Sequence, residues 1–297
     1  MSLSINKPAT NEVKIEGIVS EIKLREASTT KNGKNMEYIA GEVVLEVEQE
    51  INGETEISTI PLSVFASKLK KDGGSNPAYS GLEEIKNTYN SIASAGRENA
   101  DRVRVMKGEI VENSFFNDSN ELITSARVRN SFFKRLTNEE FNPHANFIVK
   151  IVILNIKEET DREGIETGRL AVKGGIVQWG GKVDVVDFVV ESKDAIEYIK
   201  QNYNKNETVQ VSGRVRFSVT TITNEIEQAF GEPIIDTKTR TKREFLITSG
   251  SQGGMDEDES YSVEEIAKAL EQRKLALEES NKKTKEKSSA GTVDTGF

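Results

Sequence analysis

The chain has 297 residues, a formal net charge of −9 and no cysteine. Without cysteine there is no disulfide framework, no thiolate metal site and no thiol nucleophile, and without a run of roughly 18 apolar residues no membrane-spanning helix is expected. The negative balance excludes a uniformly basic nucleic-acid-binding surface, so any phosphate contact must come from a local patch.

The first 17 residues lack the apolar core of a signal peptide, which leads to the expectation of a cytoplasmic protein. From 13 to 47 the apolar residues alternate (Val13, Ile15, Val19, then Val43, Leu45, Val47), with Asn32-Gly33 between the two sets. Period two with an Asn-Gly break predicts a hairpin. A second Asn-Gly, Asn52-Gly53, leads into another alternating run over 57–65, so three strands follow as a meander. Over 78–95 the period becomes helical, through Leu82, Ile85, Tyr89, Ile92 and Ala93. Two more strands, 102–116 and 121–133, flank the turn-forming 117–120.

The second half repeats this order. Phe147, Val149, Ile151 and Ile153 open a strand; 170–179 and 182–190 form a hairpin across Gly180-Gly181; Ser192 caps a short helix; 209–219 and 239–248 complete five strands. Gly17, Gly108 and Gly213 lie inside predicted strands, where glycine allows a sharp bend or bulge.

Five short strands with a helix between the third and fourth, made twice, predict an all-β chain with short helices: two tandem five-stranded barrels at 11–137 and 145–249. Residues 250–297 then read as a linker with the acidic run 256–259, an amphipathic helix to about 279, and a polar end expected to be disordered. The layout resembles the oligonucleotide/oligosaccharide-binding (OB) fold, and specifically single-stranded DNA-binding proteins of phages and mobile elements built from tandem barrels of this type. That resemblance implies non-enzymatic, largely sequence-independent binding of single-stranded DNA in replication or recombination. The alternative from the residues is a protein-interaction or assembly module built on two β-barrels.

Catalysis has little to carry it. The single histidine, His144, sits between the halves, and no phosphate-binding loop, zinc-protease or nucleophile-elbow motif occurs, so no catalytic residue, metal ligand or cofactor is expected.

Candidate contacts follow from the barrel geometry. NSFF occurs twice, at 113–116 and 130–133, the second copy among Arg127, Arg129, Lys134 and Arg135. Strict alternation places Val128 and Phe132 on the core face and Arg127, Arg129 and Phe133 on the outer face, where guanidinium groups contact phosphate and a ring stacks on bases. Phe116 is the candidate from the first copy, with Phe115 and Phe116 necessarily opposed. In the second half Arg214 and Arg216 alternate with core residues, and Lys238, Arg240 and Lys242 line the last strand. Trp179 reads either as a stacking residue at a hairpin tip or as a ring packed under its own turn, and Tyr38 carries the same two readings. Residues 255–297 hold eleven acidic against seven basic residues, four of the nine net negative charges. Bacterial single-stranded DNA-binding proteins end in an acidic tail whose last phenylalanine docks partners. By that resemblance Asp294 and Phe297 are candidate contacts for replication or recombination proteins.

Overall fold

The computed structural model describes residues 4–31, 34–51, 54–117, 119–161, 163–226 and 234–290. The Asn-Gly pairs 32–33 and 52–53, Asp294 and Phe297 lie outside the described residues.

Alternation makes β1 (Asn11–Lys31), β2 (Lys34–Ile51) and β3 (Glu54–Ser67) an antiparallel meander. On β3 residues 58, 60, 62, 64 and 66 are buried while 57, 59, 61, 63, 65 and 67 are not, as expected for a strand with one face in a core. α1 (Pro77–Thr88) starts at Asn76, whose side chain accepts the Ala78 amide, and buries Ala78, Tyr79, Leu82 and Ile85. The helix expected to reach residue 95 stops at Thr88. Ser91 caps a separate α2 (Ile92–Ala95) through a capping box with Ser94, and the Asn90 amide is held by Asp101 at 2.7 Å.

β4 (Arg102–Val105), β5 (Glu109–Phe116), β6 (Leu122–Arg129) and β7 (Phe133–Leu136) follow. β4 pairs with β1 and β7, β5 with β6, and β6 runs parallel to β3, which closes a ring of pairing. The expected fourth and fifth strands are therefore each split in two.

In the second half β8 (His144–Thr160), β9 (Glu166–Val177) and β10 (Val183–Val190) form a meander, α3 (Lys193–Asn202) follows, and β11 (Thr208–Ile226) and β12 (Ile234–Gly250) make a long hairpin. β12 runs parallel to β10, and β11 returns to β8. The neighbour order first, second, third, fifth, fourth, first is the same in both halves and is that of the OB fold. Ser192 occupies the N-cap position of α3, yet its side chain makes no capping bond. A Cβ at Gly213 would overlap the Leu246 carbonyl oxygen, so the bulge between Ser212 and Gly213 depends on glycine.

The rings share a seam. Asn11 to Glu16 of β1 pair antiparallel with His144 to Val149 of β8, so His144 is the start of a strand and not a free linker residue. One core runs through both halves, mostly aliphatic in the first and built around Phe147, Phe188, Phe217 and Phe245 in the second. Each fully buried ring of this size contributes roughly 1.5–3 kcal/mol.

Candidate nucleic-acid interface

The outer face of β2 and β3 carries a pair of aromatic rings. Tyr38 and Phe65 have ring centroids 5.3 Å apart at an interplanar angle of 32°, and Phe65 is 51% exposed. The register explains the pairing: Ala40 opposes Phe65, and Tyr38 opposes Ser67, so the two rings lie on a diagonal of one face. Arg25 of β1 opposes Ala40 from the other side, which gives a row of guanidinium, small residue and ring. Arg25 is exposed and makes no ion pair among the described residues. One step along, Lys23, Glu42, Ser63 and Arg129 form the next row, in which Lys23 pairs with Glu21 at 2.7 Å and Arg129 with Glu109 at 2.7 Å. Tyr38 was legible as a candidate; Phe65 and Arg25 were missed, Arg25 because the bulge between Val19 and Glu21 reverses the alternation set by Val13, Ile15 and Val19 and turns it outward.

The second NSFF corrects the expected alternation. Asn130 is buried, its amide donating to the Phe132 carbonyl at 2.8 Å while its Oδ1 accepts from the Phe132 and Lys107 amides at 3.3 Å each. This local closure breaks the strand and slips the pattern by one residue. Phe133 therefore packs against the core, and Phe132, assigned to the core, is 40% exposed with the Lys107 ammonium 5.5 Å from its ring centroid. In the first NSFF, Phe115 is exposed and Phe116 is half-buried, so the freer ring is Phe115. Leu122 and Ile123 oppose Phe116 and Phe115, leaving the end of the β5–β6 hairpin apolar.

The basic candidates of the first half divide. Arg127 is exposed and makes no ion pair among the described residues. Lys134 pairs with Glu140 at 3.1 Å. Arg135 stacks on Tyr89, 4.0 Å from its centroid, and pairs with Asp101 at 3.0 Å. Both side chains are exposed and have acidic partners within the chain.

In the second half the corresponding face is closed. Counted from the bulge in each first strand, Arg25 matches Glu159, Ala40 matches Arg169, and Phe65 matches Glu191. Arg169 bonds Glu159 at 2.5 Å and Glu244 at 2.7 Å; Arg216 bonds Glu191 and Glu244 at 2.8 Å each; Lys242 reaches Glu244 at 2.9 Å. Burial alone would raise the Glu244 carboxyl, but Arg169, Lys242 and Arg216 outweigh it and hold it at about 2. Arg216, half-buried, and Lys242, exposed, thus both have carboxylate partners within the chain. Arg214 leaves its Nε buried without a partner. The β11–β12 register pairs Lys238 with Ile222, Arg240 with Thr220 and Lys242 with Ser218; the side chains of Lys238 and Arg240 are outside the described residues. Trp179 is 83% exposed, so it is not packed under its turn.

Residues 255–281, read from the sequence as part of a linker and an amphipathic helix, are docked on the second barrel. The Met255 amide bonds the Thr208 carbonyl at 2.8 Å, and the Tyr261 hydroxyl donates to the Lys7 carbonyl at 2.9 Å. Burial pushes the Tyr261 phenol up to about 12. α4 (Val263–Ala290) buries Ile266 and Ala269 with Tyr261 against Val152, Val177 and Val183 of the second barrel. Arg273 then pairs with Glu112 of β5. Burial would raise Glu112, but Arg273, the Ser114 hydroxyl and the Val185 amide outweigh it, so its carboxyl lies below the usual range.

Among the described residues no group of His, Asp and Glu is arranged to hold a metal, and no helix is long and apolar enough to cross a membrane.

No curated protein matches the chain by sequence. Among solved structures, the wild-type single-stranded DNA binding protein from Thermus aquaticus aligns at a TM-score of 0.50 and 11% identity, covering 84% of this chain and 96% of that one. An internal-deletion variant of the Thermus protein aligns at 0.48 and 11% over 84% and 97%. At such identity the likeness concerns the fold alone. The YorF family model matches residues 9–283, nearly the whole described chain, and the protein belongs to the YorF family.

Proposed function

We propose that this protein binds single-stranded DNA with little sequence preference, without catalysis. It would protect the strand and present it to replication or recombination enzymes in the cytoplasm, in the manner of phage and mobile-element proteins. The two barrel domains, 11–137 and 145–249, act as one rigid body in this reading, and the first carries the open binding face. The observation that supports it most is the Tyr38–Phe65 pair, with Phe65 half exposed and Arg25 across Ala40 from it. Every base has a π-face, so rings stack on any sequence at roughly 1–3 kcal/mol per base, while unpaired guanidinium groups meet phosphate. OB folds bind oligonucleotides on the face of strands two and three and through the adjoining loops. In this chain those are β2, β3 and the hairpins β1–β2 and β5–β6. The Thermus structure that this chain resembles in fold is a single-stranded DNA binding protein. The test is anisotropy of labelled oligo-dT and of a duplex of equal length. Tighter binding of the single strand is expected, and equal binding of the two counts against the proposal.

A further inference from the structure

The chain has one tryptophan, and the fold spends it on a turn. Between β9 and β10 the Gln178 amide donates to the Lys182 carbonyl at 2.7 Å and the Gly181 amide to the Gln178 carbonyl at 3.2 Å. Gly180 and Gly181 adopt φ of +77° and +73°, the left-handed region that favours glycine. The closed turn leaves Trp179 83% exposed. An aromatic ring of this size forfeits its hydrophobic burial unless something covers it.

Beside the turn lies a groove of about 480 Å³ whose walls come from three distant parts of the chain: Ser114 of β5, Gly181 and Lys182 of the turn, and Gln272, Ala276 and Leu277 of α4. Its volume is within the roughly 300–1,000 Å³ of small-ligand sites. The helix wall supplies apolar surface, and Lys182, Ser114 and Gln272 supply a cation, a hydroxyl and an amide. Its lining also includes Glu112, taken up by Arg273, and Asp184, whose carboxyl burial raises, the Glu112 carboxylate adding to the effect. α4 is held in place by the Arg273–Glu112 pair and by Asn281, whose amide donates to Asn120 Oδ1 at 2.6 Å.

We propose that this groove is a second contact for single-stranded DNA. One base stacks on Trp179, its sugar-phosphate passes Lys182, and α4 forms the opposite wall. The inference rests on the proposed function and adds to it a site at the junction of the barrels, remote in sequence from the Tyr38–Phe65 face. It also gives the C-terminal helix a part in binding, where its acidity would suggest competition with phosphate.

The single tryptophan makes the site directly observable in the full-length protein. Titration with unlabelled oligo-dT should quench Trp179 emission in parallel with the anisotropy change of a labelled oligo-dT. Trp179→Ala should weaken binding about five-fold or more at unchanged melting temperature. Ala276→Leu, which fills the groove from the helix side, should weaken it as well. Binding by anisotropy with unchanged Trp179 emission, or Trp179→Ala at wild-type affinity, would overturn the groove while leaving the Tyr38–Phe65 face intact. Absence of oligonucleotide binding by the wild-type protein would overturn both.

Discussion

Arg273 of the C-terminal helix grips Glu112 of the first barrel through two hydrogen bonds, its Nε to Oε2 at 2.7 Å and an Nη to Oε1 at 2.5 Å. Glu112 also accepts the Val185 amide of the second barrel at 2.7 Å. One carboxylate therefore joins both barrels and the helix, and its side chain is 8% exposed.

Removing the guanidinium leaves that carboxylate buried with fewer partners, so Arg273→Ala should destabilise the protein by about 1–3 kcal/mol or more. Deleting residues 255–297 should cost more, because it uncovers Val152, Val177 and Val183 as well. Urea unfolding of the two variants checks this. Wild-type midpoints for both would mean that the helix is detached in solution.

Glu244 sets a pH dependence. Its carboxyl lies at about 2 in the folded protein against 4.5 for the free group. A carboxyl with a depressed folded pKa contributes its stability in full above the unfolded value and loses it as pH falls toward the folded one. The ionic cluster of Glu244 with Arg169, Arg216 and Lys242 should thus weaken between pH 4.5 and pH 2. Thermal melts across that range should fall less steeply for Glu244→Gln, which starts from a lower melting temperature. Parallel curves would show that the cluster does not stabilise the fold.

The slip at Asn130 separates two adjacent phenylalanines. Phe133→Ala should destabilise toward the lower end of the roughly 3–5 kcal/mol of a buried ring, since Phe133 is only partly buried. Phe132→Ala should leave the melting temperature nearly unchanged. The opposite outcome would restore an unbroken strand through 130–133.

What was legible and what was not divides along physical lines. Period-two runs and helical spacing revealed ten strand regions in two repeats, because burial of one face writes itself into the local pattern. The break at Asn130 was hidden, since it depends on a buried amide meeting the Phe132 and Lys107 backbone, a tertiary event that alternation does not encode. Arg216 and Lys242 looked like open cations because their neutralising partners, Glu191 and Glu244, are set by folding and not by spacing. Phe65 was within reach: its neighbours Val64 and Ala66 are both buried, so an outward ring between them could have been singled out. The docking of α4 depends on the fit of Tyr261 and Ile266 to another element, and an amphipathic helix alone does not name its partner.

The salt dependence separates rings from cations on the open face. Arg25→Ala should reduce the slope of log affinity against log salt by about 0.7, the effect of one phosphate contact on a single strand. Phe65→Ala should leave the slope alone. Equal slopes for wild type and Arg25→Ala would remove Arg25 from the interface.

If the Tyr38–Phe65 face binds single strands, Phe65→Ala should show it in its affinity for oligo-dT. Truncation of a ring already 51% exposed should leave the melting temperature close to that of the wild type. Loss of base stacking should weaken oligo-dT binding by roughly 1–3 kcal/mol. Undiminished affinity in a folded Phe65→Ala protein would place the binding face elsewhere, and a wild-type protein that binds no single strand would leave the barrels as a protein-assembly module.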